Sequence, residues 1–284
     1  MQYLIGVTLL WAFSFSLIGV YLAGQVDSYF AVLTRITLAS LVFLPFIRWR
    51  RVQVGRVLPL LGIGAVQLGL MYIFYYRSFL LLTVPEVLVF TIFTPLYVTL
   101  IYDALSRRFS PWYLVSAVLA VLGAAIIRYD ELTQDYWLGF AVVQGSNVCF
   151  AAGQVAYKYL RERKGPGERG DFAFFYLGAL VVALTAWLVW GQPVYPGTAV
   201  QWGVLVWLGI GASGLGYFLW NLGATKVNAG TLAIMNNALV PAGLLVNVLI
   251  WNKEASLWRL LLGGLVIAGS LWLNEAFTSR RAEK

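Results

Sequence analysis

Arg35 is a charged residue inside an apolar run, VLTRITL, seven positions beyond Ser28. On a helix that depth is ~10 Å, at ~1.5 Å per residue. A charge so placed is expensive and marks a functional site by default. Its guanidinium is planar and can grip a carboxylate through two parallel N–H bonds. The competing reading has the long stem snorkelling its head to an interface. Arg77 offers the same chemistry near the end of another apolar run, with an interfacial role as its alternative. Glu86, in TVPEVLVF, is the one carboxyl outside loops, tails and span ends. It is therefore the only carboxyl placed to take up and release a proton in a buried cavity. Thr83, Pro85 and Glu86 also spell a helix start, and the two roles are compatible.

Neutral polar residues form the second set. Asn236 and Asn237 adjoin in mid-segment, and Gln144, Asn147 and Gln154 fall on one helical stripe. Ser14 lies in a similar apolar run. Such groups either meet a ligand or hydrogen-bond helix to helix, a contact worth ~0.6 kcal/mol. Tyr75, Tyr97, Phe90 and Trp220 are the aromatic candidates for apolar contact with a ligand, with packing as the plain alternative. Much chemistry is excluded. The chain has no His and one Cys, Cys149. No Cys–His pair, intramolecular disulfide or His/Cys metal site can form. A nucleotide-binding GxxxxGK[ST] loop is also absent, so no metal or cofactor is expected.

These residues need elements to hold them. Of the 284 residues 61% are hydrophobic and 11% charged, against ~25% charged in soluble domains. Only a multispanning membrane protein in a lipid bilayer fits, and the +8 net charge is spread over short loops rather than a nucleic-acid face. The first apolar run is too long for a signal peptide and lacks a basic leader, so it reads as a retained span. Ten segments reach the ~20 apolar residues a crossing needs. They are spans 1 to 10, at 2–22, 28–47, 57–76, 84–105, 111–128, 137–159, 171–190, 199–222, 228–251 and 257–276. With the N-terminus inside, fifteen Lys and Arg fall on the inner side and four on the outer. That bias predicts both termini in the cytoplasm.

The chain also repeats itself. An offset of 146 pairs Pro95 with Pro241, Trp112 with Trp258 and Gly123 with Gly269. Offsets of 133 and 142 pair Gly6 with Gly139 and Phe30 with Phe172. The halves are 1–130 and 136–284, five spans each. An odd number of spans forces the second half to enter the membrane inverted. The fold class is thus all-α, ten transmembrane helices in two inverted five-helix repeats, an architecture of secondary transporters with a central site. Matched spans set Ser14 against Asn147 and Phe90 against Asn236. Pro95 and Pro241 each delete a backbone bond, to the carbonyls of Thr91 and Asn237, as a hinge or a static bend. The glycine runs GIGAVQLG and GIGASGLG read as close packing.

Ten spans in inverted halves, with a proline in spans 4 and 9, resemble the drug/metabolite transporter superfamily. WAFSFS (11–16), FTPLYVTLIYD (93–103), IIRYD (126–130), GTLAIMNN (230–237) and PAGLLVN (241–247) are similar to the bacterial biotin importers of its carboxylate, amino-acid and amine branch. One departure is Pro85, where that pattern carries Ser before the Glu of span 4. The resemblance implies biotin uptake across the bacterial inner membrane. Arg35, then Arg77, would take the biotin carboxylate, and Asn236 or Asn237 the ureido ring. Export of amino acids or related metabolites is the alternative within the superfamily. A membrane enzyme or a non-transporting subunit is the alternative outside it, and an enzyme would lack any nucleophile–base pair.

Overall fold

The structure is a computed structural model. It describes residues 1–47, 54–107, 135–165 and 169–251, with isolated positions between 109 and 122 and between 258 and 273. Every regular element among the described residues is helical. Eight helices are long and apolar enough to cross a bilayer: Gln2–Tyr21, Ser28–Phe46, Val57–Ser78, Val84–Ser106, Trp137–Lys164, Gly170–Trp190, Ala199–Ala224 and Ala229–Trp251. They coincide with spans 1–4 and 6–9. Spans 5 and 10 lie largely outside the described residues, as do the basic residues expected at 48–51, 108, 128, 253, 259 and 280–284.

Helix is forced by solvent. Hydrocarbon offers the backbone no hydrogen bonds, so each segment must satisfy its own N–H and C=O groups. Polar caps at the ends finish the job. The Asp27 carboxylate accepts the Phe30 N–H at 2.8 Å and the Asn228 amide oxygen accepts the Thr231 N–H at 2.8 Å. Thr198 and Gln201 form a reciprocal capping box at the head of span 8. Large aliphatic residues such as Leu188 and Leu249 point outward, 69% and 70% exposed, as a lipid-facing surface requires.

Packing follows an exchange of span n with span n ± 5. Span 3 lies against spans 6 and 7, and span 8 lies correspondingly against spans 1 and 2. Span 4 packs on span 6 as span 9 packs on span 1, while the pairs 2–7 and 4–9 are their own images. Spans 3 and 7 meet backbone to backbone. A Cβ on Gly64 would strike the Phe175 carbonyl, and one on Gly178 the Leu61 carbonyl.

Two irregularities also recur in matched spans. Spans 3 and 8 each carry a π-helical segment, Ala65–Leu70 and Trp207–Gly216. These are the glycine runs whose sequence indicates packing alone; the glycines do pack, but the helix also widens there. Spans 4 and 9 each break beside their proline. Ahead of Pro95 the chain tightens into a 3-10 turn, Thr91–Phe93, and the Thr94 N–H bonds the Thr91 carbonyl that proline leaves open. The helix before Pro241 ends at Asn237 and resumes at Leu239. The two breaks touch, as the Asn237 amide donates to the Ile92 carbonyl at 3.1 Å.

Candidate functional site

The Thr94 N–H turns to Thr91, and the carbonyl one step earlier, Phe90, becomes an acceptor for span 6. It receives the Asn147 amide at 2.8 Å and the Gln144 amide at 3.2 Å. The Tyr97 hydroxyl donates to Gln144 Oε1 at 3.1 Å, which also accepts from Asn147. A second cluster lies further along span 6. Gln154 exchanges bonds with Asn236 and accepts the Trp220 indole N–H at 2.9 Å. Asn236 also returns a 2.7 Å bond to the Leu232 carbonyl of its own helix.

The third cluster surrounds Arg35, which is 2% exposed. Its Nε donates to Ser213 Oγ at 3.0 Å, Nη1 to Tyr76 Oη at 2.9 Å and Nη2 to Tyr72 Oη at 2.8 Å. The guanidinium also lies over the Tyr72 ring, 4.4 Å from its centroid. No carboxylate among the described residues pairs with it. A guanidinium has five N–H donors, so three are taken and one on each Nη nitrogen remains. Tyr72 and Tyr76 accept from the cation and keep protons of their own.

All three clusters reach one cavity, whose empty space is about 580 Å³ with its opening to solvent included. Seven of the eight described spans contribute walls, span 7 being the exception. Arg35, Tyr72, Asn147 and Asn236 supply polar groups, joined by Ser14, Ser146, Thr91 and Thr94. Ser14 Oγ is buried and has no hydrogen-bond partner among the described residues. Trp11, Phe15, Tyr75, Phe150 and Tyr217 supply aromatic faces. Those rings interlock, with Trp11 4.9 Å from Tyr217 and Phe15 5.4 Å from Tyr75. The cavity therefore pairs one unneutralised cation with neutral amides and hydroxyls across an aromatic middle. Chemically, such a lining can accommodate an organic anion with an apolar body and a polar, uncharged second end.

The residues singled out by sequence divide. Arg35, Ser14, Tyr75, Asn147 and Asn236 line the cavity. Trp220 stands behind its wall, 1% exposed and 5.0 Å from the Trp11 ring. Phe90 packs on Phe140 at 5.0 Å, and Tyr97 and Asn237 serve the span contacts already described. Arg77 is a surface residue bonded to the Tyr29 hydroxyl at 3.0 Å. Glu86 is also apart. Its Oε2 accepts the Thr83 N–H at 2.7 Å and the Thr83 hydroxyl at 2.8 Å, closing the first turn of span 4. Pro95 and Pro241 flank the cavity through Thr94 and Leu239.

The sequence reading missed the lining residues Phe15, Ser146 and Phe150 and two members of the Arg35 cluster, Tyr76 and Ser213. Tyr76 sits four residues after Tyr72, so both hydroxyls share a face, and that spacing was the available signal. Ser213 is the only polar side chain in GIGASGLG.

A sequence profile of the EamA-like transporter family matches residues 1–129 and, a second time, residues 137–275. A protein described as a probable biotin transporter of Pseudomonas aeruginosa is 59% identical over 279 residues, 97% of each chain. The biotin transporter of Escherichia coli K12 is 53% identical over 286 residues, covering all of this chain and 96% of its own. That of Salmonella typhimurium is 52% identical over 284 residues, 99% of this chain and 95% of its own. One solved crystal structure superposes with a TM-score of 0.77 over 97% of each chain, at 18% identity, a likeness of fold alone.

Proposed function

This chain belongs to the EamA-like transporter family, and from that premise we propose that it imports biotin across the bacterial inner membrane. The observation that carries the reading is Arg35, held by three hydroxyls at the wall of the cavity with no carboxylate partner among the described residues. Biotin is a monocarboxylate with an apolar chain and thioether ring and a neutral ureido ring. Its carboxylate would complete the Arg35 fork, its middle would lie on the aromatic wall, and its ureido group would meet Ser14, Asn147 and Asn236. The names of the three full-length relatives point the same way.

The carrier works by alternating access, with both termini in the cytoplasm. The family profile matches twice, and packing and helix irregularities recur under exchange of spans n and n ± 5, in support of two inverted repeats. Proline breaks facing each other in spans 4 and 9 would let each half rock about the cavity. The direct test is accumulation of labelled biotin in a biotin-auxotrophic strain with this chain as its only importer. Uptake above the empty strain, blocked by excess unlabelled biotin, is the expected result; no uptake from membrane-resident protein would sink the reading.

A further inference from the structure

Ser213 is fully buried, at the surface of the π-helical segment that faces span 2. Its hydroxyl accepts the Arg35 Nε proton at 3.0 Å and stands 2.9 Å from the Tyr72 hydroxyl. The Nε bond matters because Nε lies on the side of the guanidinium away from its terminal fork. A partner at Nε fixes the rotation of the whole plane and leaves an Nη proton of each terminal nitrogen for another acceptor. If Ser213 donates onward to Tyr72, the Tyr72 proton is also released toward the cavity.

The segment is itself held. The Tyr176 hydroxyl of span 7 lies 2.7 Å from the Ser213 carbonyl and 2.7 Å from that of Gly214. Tyr176 is buried and absent from the cavity wall. It can reach the substrate only through what it positions.

We propose that Ser213 is a positioning residue for Arg35, seated by Tyr176, and that together they set the selectivity of the cavity for a planar carboxylate. The inference rests on the biotin reading above. A carboxylate asks for two coplanar N–H donors, so a tilted or rotating guanidinium loses one bond while keeping its charge. Loss of one charge-assisted bond weakens the anion on the order of tenfold or more. It leaves a substrate without a carboxylate unaffected.

The test measures labelled biotin uptake and its inhibition by biotin and by biotin amide, which keeps the rings but has no carboxylate. Ser213→Ala is expected to weaken biotin about tenfold while biotin amide competes as before, in protein of normal membrane abundance. Tyr176→Phe should shift the same ratio in the same direction by less. Ser213→Thr, which restores the hydroxyl, should recover the native ratio. Equal loss for both ligands would show a structural residue and overturn the proposal, as would an unchanged ratio. Absence of biotin uptake by the native chain would bring down the functional reading and this inference with it. Normal native uptake with an unshifted ratio removes this inference alone.

Discussion

Removing Arg35 takes more from the cavity than one charge. Tyr72, Tyr76 and Ser213 converge on it, and without the cation their hydroxyls would have to satisfy one another. Arg35→Ala is expected to lower biotin uptake on the order of 100-fold or more, the equivalent of two charge-assisted bonds, with the protein still in the membrane. Arg35→Lys should recover little, because an ammonium cannot occupy three hydroxyls and still offer a planar fork. Uptake kinetics beside an immunoblot of the membrane fraction decide it, and near-native uptake by the Ala variant would exclude the assignment. Glu86 calls for the opposite forecast. One oxygen of its carboxylate, Oε2, accepts both Thr83 bonds, and the amide oxygen of Gln can accept the same two. Glu86→Gln should keep concentrative uptake and its response to a collapsed proton gradient, losing only the ~0.3–1 kcal/mol of charge at a helix N-terminus. Exchange without concentration in that variant would instead make Glu86 the coupling carboxyl. Arg35 was legible in the sequence because a charge amid VLTRITL has no cheap explanation. Ser213 was not, because a hydroxyl costs little in a helix and its importance comes only from what it faces, and Tyr76 was marked by no more than its spacing from Tyr72.

At the scale of elements, span 4 shows how one residue type reaches the site from a distance. Pro95 removes an N–H, the Thr94 N–H takes the vacant Thr91 carbonyl, and the freed Phe90 carbonyl captures Asn147 and Gln144. In Pro95→Ala the new N–H would compete for Thr91 and send Thr94 back to Phe90, straightening the turn and releasing the span 6 amides. The expected outcome is uptake with a kcat several-fold lower and a KM changed much less, since Arg35 is untouched. A KM rise with unaltered kcat would show that the turn shapes the binding state and not the movement. Close packing makes a second forecast. Gly178→Val would drive a side chain into the Leu61 carbonyl, and overpacking of this kind costs ~1–3 kcal/mol. Thermal unfolding in detergent should fall by several degrees. The eight described spans were readable because hydrophobic length fixes them, and the proline turn because the missing donor is written in the sequence. The π-helical segments were not readable. Choosing the fifth carbonyl over the fourth depends on how neighbouring helices press on the run, and glycine permits either.

For the molecule as a whole, orientation is set by charge and odd parity. Lys and Arg resist translocation, and the proposed ten-span topology puts fifteen of them on the side that would also hold both chain ends, against four on the other. Arg35, the remaining one of twenty, belongs to neither side because it lies within the cavity. Several of the fifteen are anchored where the described structure reaches them. Lys158 donates to the Ala224 and Val227 carbonyls and pairs with Glu162 at 3.0 Å, and Arg161 pairs with Asp171 at 3.0 Å. These contacts tie the ends of spans 6, 7 and 8 into one basic rim, which strengthens the expectation that this rim faces the cytoplasm. Five spans per half, as proposed, would require the second half to run opposite to the first, and the two faces of the cavity would then open by related motions of related helices. A reporter active only outside the cytoplasm, fused after Lys284, should be silent, and one active only inside should report. Fusions in the loop 191–198, between spans 7 and 8, should show the reverse. The same reporter active at both positions, or the pattern inverted, would overturn the orientation. An even number of crossings between Met1 and Lys284 is required by the repeat, so termini on opposite sides would overturn the five-plus-five division as well.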